Sequence, residues 1–381
     1  MKKFTKYAPY QLTLGELAEG CKRCIKGKKL VLFVTGLCHY QCFYCPIAAN
    51  RRCKDVVYAN EWQTGREGEI LEEAKLTTAT GAGVTGGDPF LRIYRTIDFI
   101  NLLKKEFGKK FHIHLYAPLE NITKEKLKQL FDAGLDEIRV HPTNLDREDL
   151  WYKIDWLKEF GRDYGVEIPA IPSEREQTFK IIDYIKDKAQ FLNLNELEIS
   201  EENSRNFAKR NFMPKDRISY GIQGSEEFAK EIMDYCQKNT NLNVHYCSCK
   251  FKDKIQMGLR LRFRAKNIAR KFDIVDNEGM LTRGVVFLKE LMPGFSYHEN
   301  IKKIKNKNKV MMKLKDIRKE LISNCKIKPD LIEVDAEKLR LLTSSKLIKK
   351  NANKIKKLDL IPAIVKEYPT KDAMELDVEF L

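Results

Sequence analysis

The chain has 381 residues, a formal net charge of +16, 43% hydrophobic and 10% aromatic residues, so it has material for a buried core and is not globally disordered. Its longest apolar run, Leu30–Val34, is far short of the ~20 residues a membrane helix needs. No apolar stretch follows the basic N-terminus, so the expectation is a cytoplasmic protein without a secretory signal or a membrane partner.

Charge is spread unevenly. Residues 301–360 hold 19 Lys or Arg against 7 Asp or Glu, and residues 250–273 hold 9 against 2, which leaves the remainder slightly acidic. A near-neutral body with a basic C-terminal third points to a polyanionic partner, RNA first. The plainer reading is a Lys-rich solvated surface.

In chain order, residues 1–28 read as an N-terminal extension that carries Cys21-x2-Cys24. From Lys29 to Ser200, β-rich runs alternate with amphipathic helical patterns. Lys29–Gly36 is a continuous apolar run ended by glycine, as expected of a strand buried on both faces. Ala82–Thr85, His112–Pro118, Asp136–Pro142, Val166–Pro172 and Phe191–Ser200 follow. Between them, Ile93, Ile97, Ile100 and Phe107 share a helical face, as do Leu127, Leu130 and Phe131, and then Leu150, Ile154 and Leu157. Six βα units predict an α/β fold, a partial (β/α)6 TIM-like barrel with its chemistry on the loops after the strands.

The polar stretch 201–224 reads as a surface connection or a lid, followed by a helix and a short strand, Val244–Cys247. Leu259–Arg264 alternates apolar and basic residues within helix-friendly surroundings, which leaves helix and strand both open. The expected division is a core over 29–250, a basic connecting segment over 251–295 and a basic α+β appendage over 296–381.

Ten cysteines in a cytosolic chain of this size read as metal ligands or catalytic groups, not as a disulfide scaffold. Cys38-x3-Cys42-x2-Cys45 follows the first strand directly. Three thiolates on one short loop can cap three irons of a [4Fe–4S] cluster and leave the fourth iron open. The rival is a structural zinc ribbon made of Cys21-x2-Cys24 and Cys42-x2-Cys45. That arrangement leaves Cys38 unused and spends the most apolar run of the chain on a knuckle loop. After the second strand stands Thr85-Gly86-Gly87-Asp88-Pro89.

The cysteine loop, Tyr44 just before its third cysteine and the Gly86-Gly87-Asp88 turn one βα unit later resemble the signature of the radical SAM superfamily. The resemblance covers about Lys29 to Ser200 and is nearest to archaeal proteins related to pyruvate formate-lyase activating enzyme. It implies a [4Fe–4S] cluster on Cys38, Cys42 and Cys45, with S-adenosylmethionine chelated to the open iron. Gly86, Gly87 and Asp88 would hold the methionyl amine, and the backbone near Tyr44 would contact the adenine. The superfamily often has Glu where this chain has Asp88. Further cofactor contacts are expected from the ends of later strands, at His141, Ile171, Glu198 and Ser200. A reducing electron donor would drive cleavage to methionine and a 5′-deoxyadenosyl radical, which takes hydrogen from the substrate.

Cys21, Cys24 and Cys247, with Cys249 nearby, supply enough thiolates for a second site, zinc or an auxiliary iron–sulfur cluster. His112 and His114 alternate on one strand face and read as a core pair. For the substrate, the charge asymmetry favours a macromolecule, RNA such as tRNA. The alternative is an activase that generates a radical on a partner protein, and a zinc-ribbon nucleic-acid binder comes last.

Overall fold

The computed structural model describes residues 2–381 apart from Asn144, Asp146, Phe295 and Ser296. A period of two in the strands sets the architecture. In the Lys29–Phe33 strand, Leu30 and Leu32 are fully buried in the core beside Ile70 and Ala74 of the Glu67–Leu76 helix, while Lys29, Val31 and Phe33 line an interior cavity. In the His112–Pro118 strand, Ile113 and Leu115 pack into the same core and Tyr116 lines the cavity. The Glu137–His141 strand repeats this, with Ile138 and Val140 in the core and Arg139 and His141 on the cavity wall.

The chain divides into two units, Met1–Arg260 and Leu261–Leu381. In the first, Lys29–Phe33, Gly81–Thr85, His112–Pro118, Glu137–His141, Asp163–Ala170, Phe191–Glu196 and Asn243–Cys247 pair in that order, all parallel. The expected six units therefore gain a seventh parallel strand. Gln11–Leu14 adds antiparallel to Asn243–Cys247, and the Val57–Ala59/Trp62–Thr64 hairpin adds at the opposite edge. Among the described residues the sheet ends in antiparallel strands on both sides, Phe4–Thr5 outside Gln11–Leu14 at one edge and Trp62–Thr64 at the other, as in a partial barrel.

The first 28 residues are thus built into the sheet and are not a detached extension. The Glu19–Cys24 helix closes the lower, N-terminal end of the barrel. A Cβ on Gly20 would fall 2.5 Å from His114 Nδ1 and 2.6 Å from an Arg139 nitrogen, so only glycine lets the helix seat there. Gly20 N also donates to the Glu137 carboxylate at 2.9 Å. The run of Leu150, Ile154 and Leu157 is wound as 3₁₀ turns over Glu148–Phe160.

The second unit is antiparallel, in the order Ile332–Asp335, Arg340–Thr343, Leu281–Leu288, Leu360–Glu367, Glu375–Phe380. Leu281–Leu288 sits inside this sheet, so residues 251–295 are not a simple connector. The helix Ser345–Lys356 packs on it: a Cβ at Gly284 would lie 2.8 Å from the Ile348 side chain. The Leu259–Arg264 stretch is helical, within Gly258–Ile268. Among the described residues no helix is long and apolar enough to cross a membrane.

Candidate active site

The loop after the Lys29–Phe33 strand carries Cys38, Cys42 and Cys45. All three are half-buried free thiols on the wall of a cavity of about 810 Å³, together with Gly86 and Gly87. The loop has few bonds of its own: Tyr40 N donates to Cys38 Sγ at 3.4 Å and Cys45 N to the Cys42 carbonyl at 3.1 Å. Burial, then the nearby Asp88 carboxylate and the other thiols, pushes Cys38 up to about 12. Burial likewise raises Cys42 to about 11, against a hydrogen bond with Tyr44. Three thiols on one rim are the soft donor set an iron–sulfur cluster takes. Among the described residues, no three His, Cys, Asp or Glu side chains converge as a metal ion alone would require.

The glycine-rich turn is locked to the root of this loop. Gly87 N donates to the Thr35 carbonyl at 2.7 Å and Asp88 N to the Leu37 carbonyl at 2.8 Å. A Cβ at Gly86 would stand 2.5 Å from the Thr35 oxygen, and one at Gly87 2.3 Å from the Leu37 oxygen. The glycines are therefore required by backbone contact, which holds the two loops side by side. Asp88 departs from its expected role. Its carboxylate is fully buried behind the cavity wall and accepts from Phe90 N at 2.9 Å and from the Asn121 amide at 2.5 Å. One oxygen caps the following turn and the other holds Asn121, while Gly86 and Gly87 line the cavity.

Tyr44 reaches across the mouth of the barrel. The Glu167 carbonyl, 2.8 Å from His141 Nδ1, can only accept, so Nδ1 carries the proton. His141 Nε2 then accepts from the Tyr44 hydroxyl at 2.9 Å. Burial holds the His141 imidazole below its ordinary value, so it stays neutral, and raises the Tyr44 phenol. The polar stretch after Ser200 docks on the cysteine loop. Asn203 donates to the Tyr44 carbonyl at 3.1 Å, and the Phe43 ring lies parallel to Phe212 with centroids 6.1 Å apart. Ser200 is not on the cavity wall, because it exchanges hydrogen bonds with Asn203 at the start of the Ser204–Lys209 helix. Ile171 is core, packed with Leu197, Phe207 and Ile222. Glu198 does line the cavity.

Below the cysteine loop the lumen is polar where such barrels ordinarily hold branched apolar side chains. Arg139 is 2% exposed; it donates to Glu137 at 2.6 Å, to Glu167 and to the Tyr116 hydroxyl. Glu167 also accepts from Asn193 at 2.9 Å and Asn195 at 2.8 Å, and these partners, with Arg139, keep it ionised despite its burial. Lys252 and Gln256 enter from a π-helical segment, Lys252–Met257. Lys252 meets Glu198 at 3.4 Å.

Cys21, Cys24 and Cys247 line this lower lumen. The Cys21 sulfur accepts from Arg139 at 3.4 Å and from Asn193 at 3.7 Å, and the Cys247 sulfur from Gln256 at 3.7 Å. Cys249 is turned away, its thiol toward the Leu197 carbonyl at 3.6 Å. His112 and His114 are buried in the strand interior as a ring pair 5.9 Å apart. Sequence reading missed Lys29, Arg139, Glu167, Asn193, Asn195 and Lys252. For the strand residues the signal was available: polar residues at every second position of strands whose other positions are apolar.

Comparison with known proteins settles the class. The sequence profile of the radical SAM superfamily matches residues 32–190. A Methanocaldococcus jannaschii protein with the provisional name glycyl-radical enzyme activating enzyme is 39% identical over 373 residues, covering 95% of this chain and 92% of its own. Among solved structures, methylornithine synthase matches at a TM-score of 0.40 and 15% identity, over 58% of this chain and 69% of its own. Coproporphyrinogen III oxidase from Escherichia coli matches at a TM-score of 0.37 and 10% identity, over 88% of this chain and 92% of its own. The chain belongs to the radical SAM superfamily. It is a radical SAM enzyme, and the cofactors of that superfamily are a [4Fe–4S] cluster and S-adenosylmethionine.

Proposed function

We propose that this enzyme is an activase that takes a hydrogen atom from a partner protein and leaves a radical there. The observation that carries this reading is the 39% identity, across nearly the whole chain, to a protein provisionally named as an activating enzyme for glycyl-radical enzymes. It supports a protein substrate over RNA, the reverse of the order drawn from charge alone. The basic surface of the second unit then reads as a docking face, or as a solvated one.

In this reading Cys38, Cys42 and Cys45 hold the cluster, and the backbone of Gly86 and Gly87 lies against the methionyl end of S-adenosylmethionine. When bound, these cofactors supply a 5′-deoxyadenosyl radical on one-electron reduction. The chain's own part is to position and to shield. Gly86 and Gly87 clamp the glycine-rich turn to the cysteine loop, and Tyr44 with His141 braces that loop across the barrel mouth. The Asn203 and Phe212 contacts hold the stretch after Ser200 over it, which restricts water.

The test is 5′-deoxyadenosine release by the reconstituted, reduced protein with cell extract from its source. Stimulation that survives RNase and is lost to protease is expected. Stimulation lost to RNase instead would move the substrate to RNA.

A further inference from the structure

The segment after Cys45 turns back onto the root of the cysteine loop. Gly36 N donates to the Lys54 carbonyl at 2.8 Å, and Cys53 N to the Gly36 carbonyl at 2.9 Å. A Cβ at Gly36 would fall 1.7 Å from the Arg51 carbonyl oxygen, so only glycine permits this seat. Asp55 fastens the same root to the Ile93–Phe107 helix and the turn before it. It accepts from the Thr35 hydroxyl at 2.9 Å, from Arg92 Nε at 2.9 Å and from Arg95 at 2.6 Å. Arg95 also donates to the Val34 carbonyl at 3.1 Å. The charges here do not cancel. Two guanidiniums share the one Asp55 carboxylate, and Lys54 is exposed with no ion-pair partner among the described residues. Arg51 and Arg52 stand behind them on the cavity wall, Arg51 over the Tyr58 ring at 3.9 Å. Of the other carboxylates nearby, Glu61 is held by Arg260, and Asp98 lies one turn beyond Arg95. Even with both counted, the cations outnumber the carboxylates. Lys54, Arg92 and Arg95 are not on the cavity wall, and Tyr94, next to Arg95, is 76% exposed. Arginine with exposed tyrosine is a composition enriched at protein interfaces.

We infer that Lys54, Arg92 and Arg95 form the docking face for an acidic, low-potential one-electron carrier protein. One electron passes from the carrier to the cluster: the carrier is oxidised by one, the cluster is reduced by one, and no bond or proton is exchanged. A carrier must leave after each transfer, so its contact is small and steered by charge, not sealed by apolar burial. The face meets both demands. Its cations reach solvent, and hydrogen bonds tie it to residues 34–36, just before Cys38. RNA is the other polyanion, but single strands are held by long basic grooves with aromatic stacking platforms. The surplus here is confined to one short loop and the start of one helix. The inference rests on the class of enzyme and not on the activase reading, so it holds whichever substrate receives the radical.

The test uses the full-length protein carrying its cluster, with an acidic ferredoxin as the probe. Calorimetry with the oxidised ferredoxin reads docking; 5′-deoxyadenosine formed from excess S-adenosylmethionine with the reduced ferredoxin reads electron delivery. Both should weaken as salt rises from about 50 to 200 mM. The double variant Lys54→Glu/Arg92→Gln leaves Arg95 on Asp55 and should bind the ferredoxin about tenfold more weakly at low salt, with delivery slowed in step. Lys315→Glu/Lys350→Gln makes the same change of charge on exposed helix positions of the second unit and should do neither. Reduced methyl viologen, a small cation that needs no docking face, should drive the wild type and the Lys54/Arg92 variant equally. Four results each overturn the face: unchanged ferredoxin binding in that variant, equal weakening in the second-unit variant, a loss of rate shared by methyl viologen, or bulk tRNA that binds more tightly than the ferredoxin and loses affinity with Lys54 and Arg92. An extract that fails to stimulate 5′-deoxyadenosine release counts against the activase reading alone.

Discussion

Arg340 in the second unit and Arg139 in the first are both almost wholly buried, yet their surroundings differ. Arg340 meets Asp335 at 2.9 Å, Glu367 at 2.7 Å and Glu375 at 3.1 Å. Around it, Lys338 reaches Glu375 at 2.6 Å, and Arg283 reaches Asp273 at 2.6 Å and Glu367 at 2.9 Å. Each of these three cations has its carboxylate, and Arg340 and Glu367 are 0% exposed. Arg139 is as well paired, but it stands on the wall of a large cavity, where Glu167 also feels the charge of Lys29. Buried charge by itself is a structural feature. A charge set that opens on a cavity is the feature to associate with a ligand.

Mutation can break this contrast at either end. Arg340→Met would leave Asp335 without its salt-bridge partner and take one of two cations each from Glu367 and Glu375, and we expect a loss of about 3–5 kcal/mol in urea unfolding. A loss below about 1 kcal/mol would mean that the sealed network contributes little. In the lumen, pH is the sharper probe. His245 is buried beside Thr13, 3.1 Å from its hydroxyl, and burial holds its imidazole down at about 4. The unfolded chain takes up that proton near 6.5, so stability is complete above pH 6.5 and falls as pH drops toward 4, by about 3 kcal/mol. Unfolding curves at pH 7 and 4.5 should show a fall that is smaller in His245→Gln than in the wild type, the remainder belonging to other buried histidines such as His141. Glu167→Gln should cost only about 1 kcal/mol, because Glu137 still holds Arg139 at 2.6 Å.

The barrel strands were legible because strands covered by helices read as apolar runs between prolines and glycines. The cysteine loop and the glycine-rich turn were legible because their spacing is local. Asp88 was read as a ligand group, but one of its oxygens caps the next turn at Phe90 N and the other is taken by Asn121, 33 positions away. Lys29 and Arg139 were passed over because each looks like an ordinary charged residue until the pleat turns it inward. Leu259–Arg264 alternates as a strand would, yet it lies in a helix because burial there follows helical spacing: Leu261 and Ala265 pack inward, four residues apart.

The measurement closest to the central claim is iron content with 5′-deoxyadenosine formation, wild type against Cys42→Ala. The wild type should hold about four irons per chain after anaerobic reconstitution and cleave S-adenosylmethionine when reduced, whereas Cys42→Ala should lose the cluster's brown absorbance and all cleavage. A Cys42→Ala protein that keeps both would contradict the assignment of the site to the Cys38–Cys45 loop.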